Sequence, residues 1–231
     1  EMDIPGVYFS KLREVLNSIT DIRELLPIAT QLKLGLRVGE LHNIQLQDVN
    51  IQQPELKRQY PSLGSHEQIR DRPNTVYIAR NDERDGNKSA VSRILPLDDE
   101  LRWAFTRYLR MRPTWVETWF FLSKEDGQLN TQAVNKAWKE TFHPEYAGSS
   151  AYRAVTSHFG RHYFTSYWRK EHDLPRELVQ YMRGDQLGEP DQRDSWMRYY
   201  LHVYYEDIAS LYRENIYDLG LRDQDWDTLT E

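Results

Sequence analysis

The sequence predicts an α+β fold that is mostly α-helical and contains a small antiparallel sheet. Several segments repeat apolar residues at helical spacing, which is typical of amphipathic helices. Two β-rich runs, 75–80 and 93–97, flank a polar turn at 81–91 and predict a hairpin with a long tip. With 231 residues, 39% hydrophobic and 13% aromatic, the chain can fill one domain or two small ones. Because we find no internal repeat or linker, we expect one domain.

The first forty residues predict two helices and a sharp turn. One apolar stripe runs from Val7 to Ile19, and a second helix follows Asp21, whose carboxylate suits an N-cap. Gly35 can take a positive φ and end that helix. The turn would then place Arg37 at the start of a short helix that reaches Ile44.

The rest of the chain predicts alternating helices and short strands. A strand begins near 48–51, and the polar stretch 52–74, with three prolines, predicts an extended loop. After the hairpin, Asp98 opens a helix that ends at Arg112, and 119–122 predicts a short buried strand. Three further helices are expected at 131–142, around His158, and along the apolar stripe from Trp196 to Leu211.

Composition excludes several classes of protein. The chain has no cysteine, so it has no disulfide and no thiol chemistry. No apolar run approaches the length of a membrane span, and the first residues lack the basic and apolar regions of a signal peptide. We therefore expect a soluble, intracellular protein.

The charge balance is acidic and poor in lysine. The net charge is −6, and of the thirty basic residues eight are lysines and twenty-two are arginines. Phosphate binding is driven by basic side chains, so this total is unusual for a nucleic-acid partner. In concentrated salt, long-range fields are screened and close bidentate arginine contacts persist. Two interpretations remain open: a halophilic source, or an ordinary acidic protein.

Three segments carry residues suited to phosphate chemistry. The segment LGLRVGEL at 34–41 contains Arg37, and HFGRH at 158–162 places His158 and Arg161 three residues apart, on one face of a helix. The segment YLHV at 200–203 begins with Tyr200 on an apolar stripe. A His-x-x-Arg step alone occurs often by chance, and an aromatic residue on such a stripe is usually core.

In their order and spacing these segments resemble the tyrosine recombinase (phage integrase) family. The resemblance implies that Arg37 and Arg161 hold the non-bridging phosphate oxygens, for which the arginine fork is suited. Tyr200 would be the nucleophile, and His158 would orient the phosphate and help to remove the proton from Tyr200. The intermediate would be a 3′-phosphotyrosine, formed without metal, cofactor or ATP.

The family carries a catalytic lysine on a hairpin like the one predicted here. Counting back from the end of the second strand at 94–97 places Lys88 at the matching position, and it is the only lysine between Lys57 and Lys124. As general acid, Lys88 would protonate the departing 5′-oxygen. The alternative is a solvated lysine on a loop.

The sequence departs from the family at Asp185. Family members usually continue from this helix to glycine and then a histidine or tryptophan that hydrogen-bonds the scissile phosphate, but this chain has Arg183, Gly184 and Asp185. An ionised carboxylate would repel the phosphate. We therefore expect Asp185 to turn away and tie the polar loop 186–194 to a nearby basic group, and the loop and Tyr200 to be mobile or misplaced without DNA.

The resemblance implies that 1–231 is the C-terminal catalytic domain of a tyrosine recombinase, without the N-terminal domain that clamps DNA. The protein would be a site-specific recombinase or integrase of a haloarchaeal virus or element. Its partner would be double-stranded DNA attachment sites in the host cytoplasm, with a tetramer on DNA and a monomer without it. Three alternatives are a type IB topoisomerase, a non-catalytic DNA-binding relative and a helical scaffold with chance matches.

Overall fold

The computed structural model describes residues 9–143, 145–150, 153–185 and 193–223, and for 193–203 it describes the backbone alone. Within these ranges the fold is mostly helical with one small antiparallel sheet, which confirms the predicted fold class. The α-helices are α1 (Phe9–Asn17), α2 (Ile22–Leu34), α3 (Val38–His42), α4 (Pro54–Gln59), α5 (Asp99–Met111), α6 (Thr131–Phe142), α7 (Ser157–Ser166), α8 (Arg176–Arg183) and α9 (Arg193–Asn215).

The sheet has three strands in the order β1 (Val49–Asn50), β2 (Thr75–Ile78) and β3 (Arg93–Pro96). Both pairings are antiparallel, and Val76 of β2 lies opposite Val49 on one side and Leu95 on the other. The predicted hairpin is therefore confirmed. Every residue of β2 and β3 is buried, so these two strands form part of the core.

Helix α2 begins and ends as the sequence predicts. The Asp21 carboxylate accepts a hydrogen bond from the Arg23 amide, and the helix ends at Gly35, which has φ 64°. A Cβ at position 35 would lie 2.6 Å from the Phe164 ring of α7, so glycine serves both the turn and the close packing. The chain then turns directly into α3, with Arg37 as its N-cap residue.

Helix α7 packs closely on α2 because Gly160 has no side chain. A Cβ there would lie 3.3 Å from the backbone nitrogen of Leu32. This close approach brings Arg161, the next residue of α7, to the turn that carries Arg37. The contact between α2 and α7 therefore positions the site.

The prediction of a loop throughout 52–74 is wrong, because α4 lies within it. Pro54 occupies the first turn of α4, where a missing backbone N–H costs nothing and the fixed φ suits a helix. Glu55 in the first turn and Arg58 in the last turn complement the helix dipole, and Leu56 is buried. Pro54, one of the three prolines in this stretch, therefore starts a helix instead of interrupting one.

The prediction of a strand at 119–122 is also wrong. Trp119 forms a single bridge with Gln45, and Leu122 forms a single bridge with Gln128. Between them the adjacent residues Phe120 and Phe121 are both buried and pack on Phe105, rather than alternating as in a strand with one exposed face. Aromatic packing and isolated backbone bridges, rather than a strand of the sheet, organise this segment.

The C-terminal part of the described chain covers the sheet. Helix α8 ends at Gly184, with φ 66°, and α9 packs along β3. On α9 the buried side chains include Tyr205, Ile208 and Tyr212, whose hydroxyl donates to the Lys33 carbonyl at 2.8 Å. No helix in the described part of the chain is long and apolar enough to cross a membrane.

Candidate active site

Arg37 lies at the N-terminus of α3 and is fixed by Glu40 in the first turn. The Arg37 amide donates to Glu40 Oε2 at 2.8 Å, and Arg37 Nη1 lies 3.4 Å from Glu40 Oε1. Glu40 is buried, whereas the Arg37 side chain is 27% exposed. Arg37 therefore presents its outer guanidinium nitrogen, Nη2, away from this anchor.

Arg161 approaches the same place from α7 and is buried. Its Nη1 donates to the Gly35 carbonyl at 2.9 Å and to the Arg183 carbonyl at 2.8 Å. Burial, together with the positive charges of Arg37 and Arg93, lowers the pKa of Arg161 to about 9. The guanidinium still carries its charge at pH 7 and has a second nitrogen, Nη2, for an anion.

The anion on these two arginines is the Asp185 carboxylate. Asp185 Oδ1 accepts from Arg161 Nη2 at 2.7 Å and from Arg37 Nη2 at 3.0 Å. Asp185 Oδ2 lies 3.0 Å from Arg183 Nε. The sequence led us to expect an arginine partner that draws Asp185 away from a phosphate. Instead, its partners include the two arginines expected to hold that phosphate.

His158 lies one helical turn before Arg161 and is exposed. Its ring packs edge-on against His162, with 4.8 Å between ring centroids. Partial desolvation lowers the pKa of His158, and the nearby positive charges of Arg161 and Arg37 lower it further. His158 is therefore largely neutral at pH 7, so a ring nitrogen can accept a proton.

Lys88 lies in the β2–β3 connection, next to Arg37 in the fold. Its neighbours Asn87 and Ser89 are buried: Asn87 accepts a hydrogen bond from the Asn43 side chain at 2.9 Å, and Ser89 Oγ accepts from Arg37 Nη1 at 3.4 Å. Lys88 itself is exposed and forms no ion pair with any residue that the structure describes. The hydrogen bonds of Asn87 and Ser89 therefore hold the backbone on both sides of Lys88 close to Arg37.

A buried hydrogen-bonded network of Arg93, Glu40 and Ser89 lies next to Arg37 and the end of α8 that carries Asp185. Arg93 is fully buried on β3, and its Nη2 donates to Glu40 Oε2 at 2.9 Å. Its Nε donates to the Met182 carbonyl at 2.7 Å, at the end of α8. Ser89 donates to the Glu40 carboxylate. Burial pushes the pKa of Glu40 upward, but Arg93, together with the Arg37 amide and Arg161, holds that pKa below its usual value.

The sequence interpretation missed Ser89, Arg93 and Arg183. The signal for Arg93 is its position as a charged residue at the start of an apolar, β-rich run. A charged side chain buried in such a strand requires a partner of opposite charge. For Arg183 the signal is a basic residue directly before the helix-ending Gly184. Ser89 has no signal in the sequence apart from its position next to Lys88.

Tyr200 lies within α9, but its side chain is outside the described residues, as are residues 186–192 of the loop. The expected mobility of that loop and of Tyr200 is likewise outside the described part of the chain. Of the expected site residues, the structure brings together Arg37, Arg161 and Asp185, with His158 one turn away. Guanidinium groups that meet on one carboxylate oxygen can also donate hydrogen bonds to a phosphate oxygen.

Comparisons with known proteins identify the sequence family and the fold. Residues 9–205 match the sequence model of the phage integrase family. No curated protein matches the sequence. Among solved structures, XerA recombinase has 19% sequence identity and a TM-score of 0.52, with 91% of this chain and 64% of that chain covered.

Two further solved structures share the fold. The integrase from mycobacterium phage Brujita has 15% identity and a TM-score of 0.57, with 97% of this chain and 65% of that chain covered. A lambda integrase tetramer bound to a Holliday junction has 13% identity and a TM-score of 0.55, with 84% of this chain and 51% of that chain covered. The chain thus spans less than two thirds of the length of each of these three proteins.

Proposed function

Because this chain belongs to the phage integrase family, we propose that it is a site-specific tyrosine recombinase that breaks and rejoins double-stranded DNA. The observation that carries this proposal is the pair Arg37 and Arg161, which come from separate helices and grip one carboxylate oxygen at 3.0 and 2.7 Å. Two preorganised guanidinium groups can likewise hold the non-bridging oxygens of a phosphodiester and stabilise the charge that builds there.

The proposed reaction uses the hydroxyl of Tyr200 as nucleophile. Its oxygen attacks phosphorus, the bond from phosphorus to the 5′-oxygen breaks, and a 3′-phosphotyrosine forms. His158, neutral at pH 7, takes the proton from Tyr200. Lys88 gives a proton to the departing 5′-oxygen, and the exposed position of its side chain on the hairpin supports that role.

The phosphotyrosine bond retains the energy of the phosphodiester. A free 5′-hydroxyl from a second DNA end can attack the phosphorus and displace Tyr200, so rejoining uses no ATP. Arginine and lysine supply the positive charge in every step of this scheme, and no step requires a metal ion.

We further propose that the chain acts as the catalytic domain of such a recombinase on DNA attachment sites, within the cytoplasm of a host cell. A tetramer on DNA is the assembly that we propose, and a monomer in its absence. Support comes from the fold match to a lambda integrase that forms a tetramer on a Holliday junction.

The charge composition supports a salt-adapted source, which we propose to be a haloarchaeal virus or element. Thirty-six acidic residues outnumber thirty basic ones, and lysine is scarce. Arginine pairs such as those on Asp185 are close contacts, and salt screens close, partly buried pairs far less than distant surface charges.

A DNA substrate that traps the covalent intermediate tests the proposal. We expect a denaturation-resistant protein–DNA band on a nicked duplex that carries a candidate attachment sequence. The absence of a band on every candidate site would favour a non-catalytic DNA-binding relative. A band accompanied by relaxation of supercoils, without recombination between two sites, would identify a type IB topoisomerase instead.

A further inference from the structure

Asp185 is held by three guanidinium groups, of which only two have a proposed role in catalysis. Arg161 and Arg37 donate to Oδ1, and Arg183 Nε lies 3.0 Å from Oδ2. The two carboxylate oxygens resemble the two non-bridging oxygens of a phosphodiester in charge and in their ability to accept hydrogen bonds. Side chains that converge on one of these anions can therefore converge on the other.

We propose that Arg183 is a third arginine of the phosphate clamp and contacts the scissile phosphate. This inference rests on the proposed function, because it adds a residue to that same site. An ionised Asp185 can accept hydrogen bonds but cannot donate them to a phosphate. Arg183, two residues earlier, supplies donors at the same end of α8.

The backbone of Arg183 is held in place by the site itself. Its carbonyl accepts from Arg161 Nη1 at 2.8 Å and lies 3.5 Å from Arg37 Nη1. The following turn is also fixed, since Gly184 has φ 66° and the Asp185 amide donates to the Gln180 carbonyl at 3.0 Å. The Arg183 side chain therefore starts from a rigid position next to both other arginines, as a preorganised charge donor requires.

The charged side chains around Asp185 have a net positive charge, which favours the binding of a further anion. Among the residues that the structure describes, four guanidinium groups and two carboxylates meet at this site: Arg37, Arg93, Arg161 and Arg183, with Glu40 and Asp185. Glu40 pairs with the buried Arg93 and with Arg37, whereas Asp185 pairs with Arg37, Arg161 and Arg183. Over these described side chains the surplus of two positive charges suits a phosphodiester, which carries one negative charge.

A double-mutant cycle separates this role from simple neutralisation of Asp185. The measured quantity is the rate of covalent adduct formation at saturating DNA. We expect Arg183→Ala to slow it on the order of a hundredfold, as for the loss of one preorganised donor. In the Asp185→Asn background, Arg183→Ala should still cost about tenfold or more. If the double variant instead reacts as fast as Asp185→Asn alone, Arg183 only balances Asp185 and the inference is wrong.

A matched control and a conservative variant complete the cycle. Arg176 is an exposed arginine at the other end of α8, so Arg176→Ala removes the same charge from the same helix. We expect its rate at saturating DNA to stay within about twofold of the parent, as is usual for surface changes. Arg183→Lys should be slower than the parent but faster than Arg183→Ala, because lysine keeps the charge and loses the fork.

Anion binding tests the inference without catalysis. Inorganic sulfate, compared with chloride of equal ionic strength, should raise the melting temperature of Asp185→Asn by more than that of the double variant with Arg183→Ala, because the general stabilisation by sulfate is common to both. If this excess is absent, Arg183 does not bind the anion and the inference fails, whether or not the protein cleaves DNA. If the excess is present and no variant cleaves DNA, the proposed function fails and the anion site stands.

Discussion

Arg161 Nη2 donates to Asp185 Oδ1 at 2.7 Å, although Arg161 is one of the two arginines proposed to hold the scissile phosphate. The carboxylate thus occupies a place that a phosphate oxygen requires. Two unit negative charges at contact distance repel by about 4 kcal/mol at an effective dielectric constant near 20. Under the proposed function, a DNA phosphate would therefore compete with Asp185 for Arg161.

The first prediction concerns that competition. Asp185→Asn removes the negative charge with little change of shape, so affinity for the DNA site should rise, on the order of tenfold, as expected for part of the repulsion above. Cleavage at saturating DNA should weaken by no more than about tenfold. Fluorescence anisotropy gives the affinity, and covalent trapping gives the rate. A loss of cleavage as complete as that of Arg161→Ala would show that the carboxylate takes part in the chemistry.

The second prediction concerns the two clamp arginines. Arg37→Ala and Arg161→Ala should each slow adduct formation by about a hundredfold or more, because each removes a preorganised donor to the phosphate. The lysine variants should recover only part of the rate, since lysine cannot form the fork. Arg102→Ala is the control: Arg102 lies on α5 and pairs at the surface with Asp99. Wild-type rates in either clamp variant would remove that arginine from the site.

Much of the fold can be predicted from the sequence because the signals that predict each helix end and the hairpin lie within the element itself. Asp21 and Gly35 carry their capping roles wherever the helix packs, and the hairpin follows from two β-rich runs and a polar turn. The partners of Asp185 and the burial of Arg93 are not local. They depend on how α7, α8 and β3 meet, and Gly160 sets part of that packing by its close approach to α2. Pattern reasoning could supply Arg37, Arg161 and Asp185 as candidates, but not the pairs that they form or the supporting residues Ser89, Arg93 and Arg183.

The third prediction concerns the proton donor. Lys88→Ala should cleave ordinary DNA poorly and recover on a substrate with sulfur at the 5′-bridging position, because a thiolate leaves without a proton. Gel analysis of both substrates measures the recovery. Lys136→Ala provides the control, since Lys136 is an exposed lysine on α6 that pairs with Glu140. If Lys88→Ala binds DNA but shows no recovery with sulfur, another residue is the acid.

The fourth prediction follows from the acidic, lysine-poor composition. The protein should keep its circular dichroism spectrum and its cleavage activity in molar potassium chloride, where close arginine contacts persist and long-range fields are screened. Activity measured across a potassium chloride series checks this. A steady decline from low salt upward would indicate an ordinary acidic protein and would leave the assignment of the site unchanged.

The fifth and most direct test identifies the residue that becomes bonded to DNA. The trapped complex is digested with protease and nuclease, and mass spectrometry locates the modified tyrosine. The account predicts a phosphotyrosine at Tyr200, no adduct in Tyr200→Phe, nearly unchanged DNA binding by that variant, and an adduct that persists in Tyr199→Phe. An adduct that survives in Tyr200→Phe and disappears in Tyr199→Phe, or a modified residue elsewhere in the chain, would contradict it.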